Sequence, residues 1–205
     1  AKETRAATDF LIHFVMFGTV TLLLATTVLV VSSAWLLLRK KSDAEPPLSA
    51  KEIELIQSTW AKAKTLGTDT IAAILFTKIF AAAPGATKLF SFGRKPDFDP
   101  SADLAKNDDF LTHGRAVVNT VGAAVDGLQD LPALVPVLEN LGYKHVTYAV
   151  KPEHYPVVGA AFLSTLSDGL GDAYTPAVAA AYTKMWGVVQ ATMLAGAAAR
   201  DEKKA

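Results

Sequence analysis

The stretch that decides the fold is residues 110–121, FLTHGRAVVNTV. Phe110, His113 and Val117 are separated by three and four positions, so they share one face of a helix. Apolar residues continue with the same period beyond this stretch. The pattern predicts a helix from about Asn107 to Leu128 that carries one histidine among apolar side chains.

A second histidine lies on the next predicted helix, from about Leu131 to His145, where His145 shares a face with Leu138 and Leu141. A single histidine on an apolar face is generally a core residue. Two of them on consecutive helices that can pack antiparallel can instead hold one metal cofactor. The chain has no cysteine and no carboxylate cluster nearby, which disfavours zinc, whereas a flat iron porphyrin suits imidazoles in an apolar slot. The spacing alone leaves both interpretations open.

The other segments after residue 48 also have a helical period. Ser49 followed by Glu52 fits a capping box, with Leu48 as the preceding staple residue. Further helices are predicted at about 53–64, at 71–80 ending near Pro84, at 154–170, and from Pro176 past Met193. The sequence has no long alternating segment and no internal repeat. We therefore predict an all-α domain with six to eight helices.

Residues 10–38 form an apolar run without Asp, Glu, Lys or Arg, followed by the basic stretch 39–41. A helix needs roughly 20 apolar residues to cross a bilayer, whereas a signal peptide has an apolar core of about 7–15. A buried core helix would carry a polar stripe, which this run lacks. With Trp35 near one end as an interfacial anchor, the run predicts one transmembrane helix.

The charges flanking this helix predict its orientation. Lys2 and Arg5 precede it and three basic residues follow it, so the positive-inside rule places the C-terminal part on the cytosolic or matrix side. His13, inside the span, either snorkels to the headgroups or contacts a cofactor or membrane partner. The predicted organisation is a flank (1–9), a transmembrane helix (10–38), a linker (39–47), a helical domain (48–199) and a polar tail (200–205).

The overall composition excludes several classes of function. The 20 basic and 20 acidic residues give a net charge of zero, which does not favour binding to nucleic acid. The absence of cysteine excludes disulfides, thiolate nucleophiles and iron–sulfur ligation.

Residues 48–199 resemble the globin family, most closely its neuroglobin-like branch. The matching motifs are Gln57-Ser58-Thr59-Trp60, Leu75-Phe76-Thr77-Lys78-Ile79-Phe80, Leu89-Phe90, Phe110-Leu111-Thr112-His113, Leu141-Gly142-Tyr143-Lys144-His145 and Tyr182-Thr183-Lys184-Met185-Trp186-Gly187. The resemblance implies a globin fold, a three-over-three helical sandwich, with haem b as cofactor.

The resemblance also implies roles for individual residues. His145 looks like the proximal iron ligand, His113 like the distal histidine, and Phe90 like the corner residue that packs flat on the porphyrin. The remaining expected pocket residues are Phe76, Phe110, Val117, Leu141, Lys144, Val150, Tyr155 and Val158. Trp60 and Trp186 look like core, and His154 like surface.

One position departs from the family pattern. Three residues after the distal histidine, related globins often have a basic residue that pairs with a haem propionate, whereas this chain has Ala116. Lys144, Arg115 and Lys95 are the alternatives, although each of them also fits an ordinary solvated charge.

The resemblance implies binding of O₂ or another diatomic gas, with His113 either donating to the gas or binding iron itself. The tether favours a redox or sensing role beside a membrane complex, because a diffusible oxygen store gains nothing from an anchor. The alternative is an accessory structural subunit of a respiratory complex, in which haem is marginal. We expect a non-enzymatic protein with, at most, NO dioxygenase-like or electron-transfer side activity. Ala1 in place of Met suggests processing, and we expect the mitochondrial inner membrane, with the plasma membrane as the alternative.

Overall fold

The computed structural model describes residues 46–202, and all its regular elements are helical. The six α-helices are α1 (Ala50–Ala63), α2 (Thr68–Ala82), α3 (Asp108–Asp126), α4 (Leu131–Thr147), α5 (His154–Leu170) and α6 (Pro176–Glu202). Short 3₁₀ turns connect several of them. The predicted transmembrane helix, His13 and most of the predicted linker lie outside the described residues.

The first helix begins with the predicted capping box. The Ser49 Oγ accepts from the N–H of Glu52, and the Glu52 carboxylate accepts from the N–H of Ser49. Leu48, directly before this cap, is buried at 1 % exposure. The core of the domain therefore begins immediately after Pro47.

A carboxylate in the same cap also joins the first and last helices. Lys184 on α6 donates to both Glu52 oxygens at 3.0 and 3.1 Å. The hydrogen bonds from Ser49, followed by those from Lys184, lower the pKa of Glu52 from 4.5 to about 2. Deeper in the same contact, the Tyr182 hydroxyl donates to the Ile56 carbonyl oxygen at 3.0 Å, which fixes α6 against α1.

The region between α2 and α3 is irregular but well anchored. It contains the turns Pro84–Leu89, Phe92–Arg94 and Leu104–Lys106. Its buried side chains are Phe92 and Leu104. Asn107 then caps α3 by accepting from the N–H of Phe110 at 2.9 Å. This cap sets the start of the helix that carries His113.

Helices α4 and α6 approach each other through two glycines. A Cβ at Gly142 would lie 1.9 Å from the Met193 carbonyl oxygen, and one at Gly196 would lie 1.9 Å from that of Glu139. Real Cβ atoms do not approach a backbone oxygen so closely, so only glycine permits this crossing. Gly142 is three residues before His145, and the crossing therefore fixes the helix turn that leads to it.

Within residues 46–202, no single helix has both the length and the hydropathy needed to span a bilayer. The segments Ala50–Leu66 and Thr68–Ala82 meet such a criterion only when taken together, as a pair bent by 98°.

Candidate haem site

His145 lies in the last turn of α4, and its ring is oriented by the backbone. Its Nδ1 is 2.8 Å from the carbonyl oxygen of Leu141, one turn earlier. Because a carbonyl oxygen can only accept, Nδ1 carries a proton, and in the neutral ring the lone pair is then on Nε2. The ring is half-buried. His145 is therefore oriented so that Nε2 is the ring nitrogen available to bind a metal ion.

The chain leaves α4 through a tight turn directly after this histidine. The N–H of Val150 donates to the carbonyl oxygen of His145, and the N–H of Ala149 donates to that of Val146, both at 3.2 Å. These are the two hydrogen bonds of a Schellman motif. Ala149 has a φ of 59°, the one left-handed value at a non-glycine among the described residues. The turn after His145 therefore carries local backbone strain.

His113 lies in the second turn of α3, among aromatic rings. Its ring centroid is 5.1 Å from that of Phe90, 5.6 Å from that of Phe76 and 5.9 Å from that of Phe92. Burial of the ring against these side chains lowers the pKa of His113, and repulsion from His145 lowers it further. His113 as a whole is nevertheless exposed to solvent. The neutral form of the imidazole is thus favoured at His113.

Several of the apolar residues expected in the pocket are only partly covered. Phe90, Val117, Leu141, Val150 and Val158 are half-buried and pack against the core. By contrast, Phe76, Phe110 and Tyr155 are buried. Partly covered apolar residues of this kind fit a flat apolar ligand.

The number of donors also fits iron porphyrin better than a bare metal ion. Among residues 46–202, no group of three or more histidine or carboxylate side chains could hold a metal ion. Two imidazoles suffice for iron in a porphyrin, because the macrocycle supplies four nitrogens of its own.

Two of the three cations considered for the propionates have carboxylate partners. Arg115 binds Asp69 through two hydrogen bonds of 2.6 and 2.7 Å, which lower the pKa of Asp69 and raise that of Arg115. Lys95 pairs with Asp109, which raises the pKa of Lys95. Lys144 is exposed beside His145 and forms no ion pair with another described residue.

The residues expected outside the site have contacts of their own elsewhere in the domain. Trp60 is buried at 1 % exposure, and Trp186 packs against the core over Gly159. His154 is the first residue of α5, and its Nδ1 accepts from the N–H of Lys151 at 3.2 Å. A surface recess of about 350 Å³ beside α2 is lined by neither His113 nor His145.

One residue of this site was missed from the sequence. Phe92 is buried, stacks on Phe90 at 5.2 Å with an interplanar angle of 16°, and contacts the His113 ring. The available signal was its position two residues after Phe90, in the motif LFSF (89–92). In a loop, such spacing does not indicate which way a side chain points.

Comparison with known proteins identifies the family of this fold and site. A globin family model matches residues 73–193, more than half of the chain. Neuroglobin from Tetraodon nigroviridis is 36 % identical over 160 residues, which cover 77 % of this chain and 98 % of that protein. Neuroglobin from Danio rerio is 33 % identical, with 77 % and 97 % covered.

Two further matches come from more distant proteins. The flavohemoprotein of Bacillus subtilis is 32 % identical over 142 residues, which cover 69 % of this chain and 32 % of that protein. A solved structure of a hexacoordinated haem protein from an anhydrobiotic tardigrade superposes with a TM-score of 0.67 at 18 % identity, covering 76 % of this chain and 98 % of its own. At that identity, the match supports the shared fold.

The chain belongs to the globin family. The predicted all-helical globin fold and the resemblance to neuroglobins are confirmed, and the family implies a haem cofactor.

Proposed function

We propose that this protein is a membrane-anchored globin that binds haem b through His145 and His113, binds O₂ or another diatomic gas, and serves a redox or sensing role. The observation that carries the proposal is the hydrogen bond from His145 Nδ1 to Leu141, which leaves Nε2 as the ligand atom. When bound, haem supplies an iron that takes up a diatomic gas and changes its oxidation state by one electron.

His113 is proposed as the second ligand. Its neighbours Phe76, Phe90 and Phe92 are all apolar, so these three provide it with no hydrogen-bond partner. Its lowered pKa favours the neutral ring, which is the form that binds a metal. When a gas occupies the distal side, the same ring donates its N–H to the gas.

Lys144 is proposed to anchor a propionate. Ala116 removes the basic residue that related globins often have on the distal helix. Arg115 and Lys95 are held by Asp69 and Asp109. Lys144, adjacent to His145 and exposed, is the remaining cation of the three. In this proposal, the cation that binds a haem propionate lies on the helix of His145 and not on the helix of His113.

The membrane part of the proposal rests on the sequence. Residues 10–38 have the length and composition of a single-pass helix, and the flanking charges favour a domain on the cytosolic or matrix side. An anchor benefits a protein whose partner is in the same membrane. We therefore propose association with a membrane complex, in the mitochondrial inner membrane or, as the alternative, the plasma membrane.

The test uses the full chain, purified in detergent and loaded with haem. The ferrous wild type is expected to show the sharp bands of a six-coordinate low-spin haem. In His113→Ala these bands are replaced by a five-coordinate spectrum, and CO binds faster because no internal ligand must leave. His145→Ala is expected to lose most of its haem. His154→Ala serves as the control, since His154 lies at the start of α5.

Two results would contradict the haem site. One is a five-coordinate ferrous wild type, which would reject His113 as a ligand. The other is unchanged haem binding in His145→Ala, which would reject the whole assignment. The anchor is tested separately by carbonate extraction of membranes from expressing cells. Release of the full chain into the supernatant would reject it, whereas retention that is lost on deletion of residues 10–38 is expected.

A further inference from the structure

The imidazole of His113 is held by aromatic rings and not by hydrogen bonds. Phe76 meets it at 81°, Phe90 at 60° and Phe92 at 47°, with ring centroids 5.1–5.9 Å away. His113 forms no side-chain hydrogen bond with another described residue, although its histidine counterpart on α4 does. The orientation of His113 therefore depends on which rings surround it.

Of these three rings, that of Phe92 is the one that is both buried and carried by a turn between helices. It is 3 % exposed, stacks on Phe90 and meets Phe110 edge-on at 5.6 Å. The turn that carries it is pressed against its neighbour, because a Cβ at Gly93 would lie 2.2 Å from the Thr87 carbonyl oxygen. The backbone beside Phe92 is thus packed closely against Thr87, and the Phe92 ring is packed against Phe90 and Phe110.

We propose that Phe92 is a positioning residue for His113. Its ring restricts rotation of the imidazole and holds it ready to bind iron, so that Phe92 sets the balance between histidine and gas on the distal side. This inference rests on the proposed function for its consequence, but the contact between Phe92 and His113 exists without haem. An aromatic contact of this kind changes such a balance about two- to tenfold.

The experiment compares two single-ring deletions in the full chain. Phe92→Leu removes the ring that touches His113. Phe98→Leu is the matched control, because Phe98 packs on Phe92 at 5.2 Å and on Phe80 at 6.0 Å without a ring contact to His113. Phe92→Tyr keeps the ring and tests for rescue. If Phe92→Leu does not fold, the unbranched Phe92→Met variant undergoes the same measurements.

Two measurements are made on each variant. The first is the NMR signal of the His113 ring in the haem-free chain with labelled histidine, assigned by His113→Gln among the four histidines. The second is the five-coordinate fraction and the CO association rate of the ferrous haem-loaded chain. Phe92→Leu is expected to move the His113 signal and to raise both haem readouts about two- to tenfold. Phe98→Leu and Phe92→Tyr should stay near the wild type.

The inference is overturned if Phe92→Leu leaves the His113 signal in place, or if Phe98→Leu changes the haem readouts as much as Phe92→Leu does. A chain that binds no haem rejects the proposed function, while the signal from the haem-free chain still decides whether Phe92 positions His113. The two failures are therefore distinguishable.

Discussion

Gly142 and Met193 lie so close together that the α4 and α6 backbones are in direct contact, with 1.9 Å left between a Cβ at Gly142 and the Met193 carbonyl oxygen. The contact is one turn before His145. It holds α4, which carries His145, through its backbone, whereas the recorded contacts of the His113 ring are with the side chains of Phe76, Phe90 and Phe92.

Replacing Gly142 by alanine tests this contact. The added methyl group meets a backbone oxygen that cannot rotate away, so Gly142→Ala is expected to lower the free energy of unfolding by about 3 kcal/mol, the upper part of the usual range for overpacking. Urea unfolding of the haem-free chain measures the change.

Gly187→Ala, also on α6, provides the control. No atom lies within 4 Å of a Cβ at Gly187. This substitution should therefore raise stability by roughly 0.5–1 kcal/mol, because alanine favours a helix interior. Equal losses in the two variants would show that helix propensity, and not the approach to Met193, determines the result.

The left-handed Ala149 leads to a second prediction. Glycine adopts its φ of 59° without the Cβ clash, so Ala149→Gly should stabilise the domain by about 1 kcal/mol. The thermal midpoint of the haem-free chain should rise accordingly. The exposed Ala160 within α5 serves as comparison, since Ala160→Gly should be destabilising by about 1 kcal/mol. A loss of stability in Ala149→Gly would mean that the turn is not strained.

The lowered pKa of Glu52 leads to a third prediction, which concerns how the free energy of unfolding depends on pH. Its pKa is about 2 in the folded chain against an ordinary 4.5, so the unfolded state binds more protons between these values. The stability that Glu52 contributes is complete above about pH 4.5 and is lost as the pH falls towards 2. The difference in unfolding free energy between wild type and Glu52→Gln should shrink over this range.

Glu54 is the matched acidic residue for this test, because it lies on the same helix, is exposed and has no ion pair with another described residue. The difference for Glu52→Gln should shrink more steeply with falling pH than that for Glu54→Gln. Equal pH dependence in the two variants would contradict the assigned role of the cap and of Lys184.

The proposed propionate anchor leads to a fourth prediction. Lys144→Ala should raise the rate of haem loss about two- to fivefold, which corresponds to an exposed ion pair of up to about 1 kcal/mol. Transfer of haem to an excess of apomyoglobin measures this rate. Lys51→Ala, an exposed lysine of α1, should leave it unchanged. A larger effect of Arg115→Ala than of Lys144→Ala would place the anchor on α3.

The helices and their apolar faces could be predicted from the sequence because both are local. The spacing of Phe110, His113 and Val117 fixes one face of α3, and Ser49 with Glu52 fixes the start of α1. The helix positions of the two histidines follow from the same periodicity. These features need no knowledge of what the helices pack against.

The remaining features depend on contacts between distant segments. Arg115 is engaged by Asp69, 46 residues earlier in the chain, and nothing in the local sequence predicts that pair. Gly142 is an ordinary helix glycine until Met193 is placed against it. Phe92 lies in a turn, where no periodicity indicates the direction of a side chain.

If residues 10–38 span a bilayer as proposed, Leu48, buried where the domain begins, limits how far the globin can move from that bilayer. Nine residues, 39–47, separate it from the end of the proposed membrane helix, and a fully extended chain of that length reaches at most about 30 Å. In the proposed anchored protein, so short a linker would confine the domain to a thin layer above the membrane and raise the local concentration of partners there. Encounters with a membrane complex would then depend on diffusion within the membrane plane.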